Sequence, residues 1–189
     1  MEKKGHLFII SGPSGAGKST VVDLILKKRP QLEYSISYTT RPPRGDERDG
    51  VDYHFITEAS FREKIERGEF AEWAKVYGCL YGTSAADIEE ALASGRDVVL
   101  DIDVQGAEKL YAKYPDAVLI FLVPPSFEKL QKRLVKRGTD SSETIKSRLR
   151  SAKTEMSAAR HYHYVIVNDD LGKTVSELNT IIEKVHAHE

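Results

Sequence analysis

The sequence predicts an α/β fold, with a parallel sheet flanked by helices in three layers, a small mixed α/β lobe and a helical lobe. Three observations predict it. Short apolar runs rich in β-branched residues show almost no alternation, which indicates strands buried on both faces, as in a parallel sheet covered by helices. Helical periodicities separate these runs. A glycine loop, G-P-S-G-A-G-K-S, lies directly between the first strand and the first helix.

L-F-I-I (7–10) reads as a buried strand, followed by a helix from Lys18 to about Lys28 that Pro30 stops. Residues 38–83 break the pattern with short strand-like pieces (Y-H-F-I, A-E-W-A-K-V-Y, L-Y-G-T) around a helix near 58–67, which suggests a small mixed insertion. V-V-L-D-I-D (98–103) and A-V-L-I-F-L-V (117–123) are further buried strands. Residues 126–159 hold two helical segments. In the first, Ser126 is the N-cap, Phe127, Leu130 and Leu134 form one stripe, and Gly138 ends the helix. The second begins at D-S-S-E (140–143), which has capping-box spacing, and repeats apolar residues at Ile145, Leu149, Ala152 and Met156. Y-V-I-V (164–167) is a last buried strand, and a helix from about Asp170 to His186 closes the pattern.

Composition narrows the classes. A chain of 189 residues with 40% hydrophobic content can bury a substantial core. Its net charge of −1 creates no general attraction to nucleic acid or an anionic membrane. The single cysteine, Cys79, allows no intrachain disulfide and suits a reducing compartment. The longest apolar run is too short to span a bilayer, and the opening M-E-K-K-G-H-L-F-I-I-S-G lacks a cleavable secretory pattern. A cytoplasmic location is expected.

Gly12 to Ser19 fits G-x-x-x-x-G-K-[ST] after a strand and before a helix. The glycines let successive backbone N–H groups turn onto phosphate oxygens, and the helix N-terminus adds its positive end. Lys18 would reach the β- and γ-phosphates of a nucleoside triphosphate, and the Ser19 hydroxyl would ligate Mg²⁺. The late strand leads into V-N-D-D (167–170) rather than the N-K-x-D of a guanine-reading GTPase; there Asn168 could line a nucleobase pocket. A second loop, Ser37 to Tyr53, places Arg41, Arg44 and Arg48 among prolines and glycines that exclude helix or central strand. It is either a solvated turn or a set of guanidinium forks around an anion. Between Lys129 and Lys153 stand nine cations against two acids, and Arg133 and Arg137 share a helix face. This region reads as a solvated face, as a nucleic-acid surface, or as a mobile cationic hairpin closing over bound nucleotide. The near-neutral whole and the lack of interleaved aromatics argue against nucleic acid.

Taken in order, the phosphate loop, the arginine loop, E-W-A, Y-G-T, L-D-I-D-x-Q-G, the cationic hairpin and V-N-D-D resemble the guanylate kinase family over nearly the whole chain. The resemblance implies a P-loop core of 1–36, 89–125 and 158–189, a GMP-binding lobe of 37–88 and a lid of 126–157. It implies Mg²⁺-dependent phosphoryl transfer from ATP to GMP, and to dGMP. ATP would meet Gly12, Pro13, Ser14, Gly15, Ala16, Gly17, Lys18, Ser19, Thr20 and Asn168. Arg41, Arg44, Tyr53 and Tyr81 would hold the GMP phosphate, and Ser37, Glu72 and Thr83 would read guanine. Lys18, Arg44, Arg133, Arg137 and Arg148 would stabilise the transferred charge. Asp101 and Asp103, at a strand's C-terminal end, would orient hydrated Mg²⁺ or the substrate, with Asp101 as the metal's carboxylate through water. Cys79 departs from the asparagine common in the family before the L-Y-G turn, which implies an altered turn contact. Arg48 and Arg62 look like surface charge, and His54, His161 and His163 like structural residues. The rival readings are a non-catalytic module of similar fold, another P-loop kinase and, last, an RNA-binding protein.

Overall fold

The computed structural model describes residues 4–137 and 141–187, with Arg137 described by its backbone alone. Strand β1 (Leu7–Ser11) leads into the glycine loop and helix α1 (Lys18–Lys28) leaves it. Next come β2 (Glu33–Tyr34), β3 (Tyr38–Thr39), β4 (His54–Phe55), α2 (Glu58–Glu66), β5 (Phe70–Val76), β6 (Cys79–Ser84) and α3 (Ala85–Ala93). β7 (Val98–Asp101), α4 (Val104–Lys113), β8 (Val118–Val123), α5 (Phe127–Arg137) and α6 (Ser142–Ser157) follow. A 3₁₀ turn (Ala158–His161), β9 (Tyr164–Val167) and α7 (Leu171–Ala187) complete the described elements. Five strands order as β2-β7-β1-β8-β9 and four as β4-β3-β6-β5. In the larger sheet, β2 pairs with β7 and β8 with β9 in parallel, which bears out the expected α/β class. Among the described residues, no helix is long and apolar enough to cross a membrane.

The chain divides into two compact units: Met1–Phe8, Gln31–Leu100 and Gln105–Val118 form the first, and Ile9–Pro30, Asp101–Val104 and Leu119–Glu189 the second. In the first, a two-residue turn at Tyr77 (φ 48°) and Gly78 (φ 87°) joins β5 to β6. Positive φ at both positions is the hairpin turn whose twist matches that of the flanking strands. The turn sets the register from Val76↔Cys79 back to Glu72↔Thr83, beyond which a bulge breaks the count before Phe70↔Ser84. Cys79 therefore closes the turn pair. α2 covers this sheet through Phe61, which is fully buried with its ring centroid 4.5 Å from that of Phe70. Side-chain caps start α2 and α3: Thr57 accepts from the Ser60 N–H and Ser84 from the Asp87 N–H.

In the second unit, α7 buries Val175, Leu178, Ile181 and Ile182 at helical spacing. α1 is tied to it through the Arg29 Nε donation to Asn179 Oδ1 at 2.7 Å. Ser126 caps α5, accepting from the Lys129 N–H at 3.1 Å. Apart from Met156, the stripes expected of the helical pair meet as one cluster: Leu130, Leu134 and Ala152 are buried, with Phe127, Ile145 and Leu149 packed against them.

Three expectations change. Y-V-I-V forms β9 at a sheet edge, where only Ile166 is buried and Val165 and Val167 are 46% and 55% exposed, so this strand is not covered on both faces. The second hairpin helix is capped by Ser141, which accepts from the Thr144 N–H at 3.2 Å, one residue beyond the anticipated Asp140. α3 and α4 have no counterpart in the sequence reading. Gly138 and Asp140 lie outside the described residues.

Leu134 is 1% exposed and joins α5 to α6. Leu134→Ala should destabilise the chain by roughly 2–5 kcal/mol through lost burial and a residual cavity. Urea unfolding checks this, and an unchanged midpoint would show that the pair is not packed as described.

Candidate active site

Two clusters of functional side chains emerge, one in each unit. The first is the phosphate loop. Gly12 adopts φ +143°, and a Cβ there would stand 2.2 Å from the Leu122 carbonyl oxygen. Gly15 adopts φ +87°, and a Cβ there would press on Leu130 and Leu134 at 3.0 Å. Only glycine satisfies both the conformation and the space at these two positions. α1 begins at Lys18 after Gly17, which has no side chain to cap the helix, and its first turn carries no acid. The positive end of α1 is thus available to an anion from the loop side.

A loop that turns its N–H groups inward must turn carbonyls outward, and each of these needs a donor. Lys18 Nζ donates to Gly12 O at 2.7 Å and to Pro13 O at 3.4 Å. Ala16 O receives Asn168 Nδ2 at 2.7 Å and Arg133 Nη1 at 3.3 Å. Asn168 is 2% exposed, and its Oδ1 accepts from Thr174 Oγ1 at 3.1 Å, so both ends of its amide are engaged in supporting the loop. Arg133 Nη2 donates to Asn168 O at 2.7 Å, and Arg148 Nη1 to Ser14 Oγ at 3.0 Å. Ser19 Oγ donates to Asp101 Oδ2 at 3.1 Å, which joins the loop hydroxyl to a carboxylate. Thr20 follows within the first turn of α1. The Arg137 side chain lies outside the described atoms.

Sequence reasoning missed Glu155 in this cluster. Burial pushes its carboxyl above the ordinary carboxylate range; Lys18, the Ser14 N–H and Arg148 oppose that rise and Asp103 adds to it. The available signal was spacing: Glu155 lies seven residues after Arg148 on α6, two turns along one face.

The second cluster surrounds Arg41, which is 6% exposed. Its Nε donates to Tyr81 Oη at 3.1 Å, Nη1 to Pro42 O at 2.7 Å and to Glu47 Oε2 at 2.8 Å, and Nη2 to Glu47 Oε1 at 3.1 Å. The guanidinium lies over the Tyr53 ring at 5.2 Å. A guanidinium has five N–H donors, so these four bonds leave one. Burial alone would lower the Arg41 pKa, but the Glu47 carboxylate, with Tyr81, holds it above the usual arginine range. Glu47 also accepts the Arg44 N–H at 2.8 Å, and so shapes the turn that carries both arginines. It is the second residue that the sequence reading passed over, an acid hidden in a basic motif. Tyr53 and Tyr81 meet edge to face with centroids 6.0 Å apart.

On the same sheet, Glu72 is 6% exposed and Thr83 fully buried, and Thr83 Oγ1 donates to Glu72 Oε1 at 2.6 Å. Ser37 is 5% exposed and immediately precedes Tyr38, which pairs with Gly82, the neighbour of Thr83. Of the three residues expected to read a base, Glu72 and Thr83 therefore pair across β5 and β6, and Ser37 stands just before β3, which adjoins β6. As anticipated, Arg62 is on the surface, paired with Glu58, and Arg48 is exposed. His163 is structural: its Nδ1 accepts the Leu119 N–H at 3.0 Å.

The family profile described as guanylate kinase matches residues 4–185. The guanylate kinase of Myxococcus xanthus (strain DK1622) is 49% identical over 179 residues, 94% of this chain and 86% of that protein. That of Thermotoga maritima is 45% identical over 184 residues, 97% of this chain and 89% of that protein. A crystal structure of guanylate kinase from Anaplasma phagocytophilum superposes with a TM-score of 0.82 at 32% identity, covering 97% of this chain and 87% of that one.

Glu47→Gln should leave Arg41 with a neutral partner that offers one acceptor oxygen. Because Arg41 is buried, a loss of about 2–4 kcal/mol in unfolding free energy is expected. Denaturant titration measures it, and stability equal to that of the unsubstituted chain would contradict the ion pair.

Proposed function

The chain belongs to the guanylate kinase family, and from that premise we propose that its two clusters divide the substrates of an ATP:GMP phosphotransfer between them. The phosphate loop takes ATP and the arginine–tyrosine cluster takes GMP or dGMP. A phosphate oxygen of GMP attacks the γ-phosphorus, the bond to the bridging oxygen of ATP breaks, and GDP and ADP result. The observation that carries this reading is the buried Glu72–Thr83 pair in a chain that also holds a complete phosphate loop. Glu72 presents a carboxylate, a group that can accept up to about four hydrogen bonds. Guanine offers N1–H and its N2 amino group side by side, which a carboxylate accepts together. Ser37 supplies a hydroxyl for O6, and Thr83 supplies a second by turning its single O–H from Glu72 Oε1 onto O6.

In this reading, the loop N–H groups and the start of α1, Gly12 to Thr20, cradle the triphosphate, with Asn168 keeping the cradle in shape. Lys18 moves its ammonium onto the β- and γ-oxygens. Arg133, Arg137 and Arg148, in the lid of 126–157, offset charge on the transferring group, where one arginine can be worth ~10³–10⁵ in rate. Arg44, Tyr53 and Tyr81, in the lobe of 37–88, bind the GMP phosphate, and Arg41 adds its charge and its remaining N–H. The Ser19 hydroxyl beside the Asp101 carboxylate is the hard oxygen set that Mg²⁺ prefers. Ser19, and Asp101 through water, would hold Mg²⁺, which would offset the charge of the ATP phosphates. Asp103 is left to orient the substrate. The lone thiol suits the cytoplasm as the proposed location, and no nucleic-acid partner is proposed.

Lys18→Ala should lose most activity in an ADP-release assay, because phosphate charge is left unmatched. Arg148→Ala should lower kcat more than it raises the KM for GMP. Across acceptors, kcat/KM should fall from GMP to IMP to AMP. IMP lacks only the amino group, a loss of roughly 1–3 kcal/mol. AMP presents an unprotonated N1 and an amino group in place of O6, a loss of about 10⁴-fold or more. Glu72→Gln should weaken GMP sharply. Equal use of AMP and GMP, or unaltered GMP kinetics in Glu72→Gln, would refute the assignment of the base-reading pair.

A further inference from the structure

The arginine loop leaves β3 through a clamp of two hydroxyls on one residue of β6. Tyr38 pairs with Gly82 and Thr39 with Tyr81 in antiparallel register, so Thr40 stands opposite Leu80. In a regular ladder, such bonded residues exchange both backbone hydrogen bonds. Here the Thr40 N–H donates to Leu80 O at 3.0 Å, but the Leu80 N–H donates to Thr40 Oγ1 at 2.9 Å. A side chain takes the place of the carbonyl, and the main chain is released to turn into R-P-P-R-G. Thr39, fully buried, completes the clamp: its Oγ1 donates to Leu80 O at 3.0 Å and accepts the Arg41 N–H at 3.1 Å. A threonine hydroxyl has one proton to give, so the bond to Leu80 leaves its lone pairs to the Arg41 N–H.

That one hydroxyl touches the backbone of Arg41 and of the residue before Tyr81. These are the two residues whose side chains meet, Arg41 Nε donating to Tyr81 Oη at 3.1 Å. We propose that Thr39 is a positioning residue for the acceptor phosphate: its hydroxyl holds Arg41 and Tyr81 in the mutual register at which they take a 5′-phosphate. The inference rests on reading this cluster as the GMP-phosphate site. Tyr81 and Thr83 are two residues apart on β6, so their side chains leave one face of the strand about 7 Å apart. Thr83 pairs with Glu72 across the hairpin and donates to it. β6 thus carries base contacts at one mark and phosphate contacts at the next, and Thr39 fastens Arg41 to the second mark. Arg41 is 6% exposed, so water does not readily replace the Thr39 oxygen on its N–H. A clamp made within the protein fixes this spacing before the nucleotide arrives, which leaves less ordering to be lost on binding.

Thr39→Val tests this, since valine keeps the β-branched shape and Leu80 O keeps the Thr40 N–H, so the strand pairing stands. The readout compares two isomers with one base and one charge: GMP, and guanosine 3′-monophosphate, whose phosphate sits elsewhere on the ribose. Calorimetric titration of the full chain should show GMP binding about 3- to 30-fold weaker in Thr39→Val, with the 3′-isomer within about twofold of the unsubstituted chain. In steady-state kinetics the KM for GMP should rise by a similar factor, while that for ATP stays within about twofold. Thr39→Ser restores the hydroxyl and should bring GMP binding back to within about threefold. A purely structural role would weaken both isomers alike. That result, or unchanged GMP binding in Thr39→Val, or a serine variant as weak as the valine one, would overturn the inference. A second readout requires no substitution: with no nucleotide added, hydrogen exchange at the Arg41 amide should be slowed at least about tenfold relative to an unstructured chain. Exchange at the unstructured rate would also overturn it. An unsubstituted chain that binds the 3′-isomer as tightly as GMP would instead overturn the reading of the cluster as the phosphate site, and the inference with it.

Discussion

The Ala16 carbonyl is the point on which the phosphate loop depends. A loop that aims its N–H groups at an anion has no secondary structure to satisfy its carbonyls, and an orphaned buried carbonyl costs as much as a lost hydrogen bond. Here the donors come from far along the chain. Asn168, after β9, and Arg133, on α5, both donate to Ala16, and Lys18 bonds the Gly12 carbonyl from within the motif. Asn168 is fixed in turn by Thr174 at the start of α7. The loop therefore owes its shape to V-N-D-D and to the cationic hairpin as much as to its glycines. Arg133 serves the loop backbone, which makes it part of the scaffold as well as a candidate for charge stabilisation.

The arginine loop solves a related problem with opposite charges. A stiff turn carrying several arginines would repel itself, and Glu47 prevents this by gripping Arg41 with both oxygens and the Arg44 backbone with one. The loop holds a fixed geometry before any anion arrives, so less ordering remains to be lost on binding. The Glu72–Thr83 pair is positioned by a different device, the Tyr77–Gly78 turn, whose register carries through five residue pairs to the site. A turn at one end of a hairpin thus decides which side chains face each other at the other end.

Much of this was legible in the sequence. The runs that became β1, β7 and β8 declared themselves by unbroken apolar composition, and α1 and α7 by a glycine loop, a proline stop and helical spacing. The stripes of α5 and α6 were readable because packing follows a local period, and they do meet in one cluster. What the period cannot carry is position within a sheet. Y-V-I-V looks as apolar as the central strands, yet it forms an edge, because strand order is set by long-range pairing. Glu47 and Glu155 escaped for a similar reason. Each is one acid among many in a chain with 29, and only the fold shows that one grips Arg41 and that burial raises the carboxyl of the other. V-N-D-D suggests only that Asn168 could line a nucleobase pocket; that its amide also supports the loop is a role that the path of the chain alone reveals.

The central claim is that these clusters pass a phosphoryl group to a guanine nucleotide rather than to water. Phosphorus NMR of the full chain with ATP, Mg²⁺ and GMP tests it in one vessel. The γ-phosphate resonance of ATP should fall as the paired resonances of ADP and GDP grow in equal amounts, with no orthophosphate. Orthophosphate released at the same rate with or without GMP would contradict it.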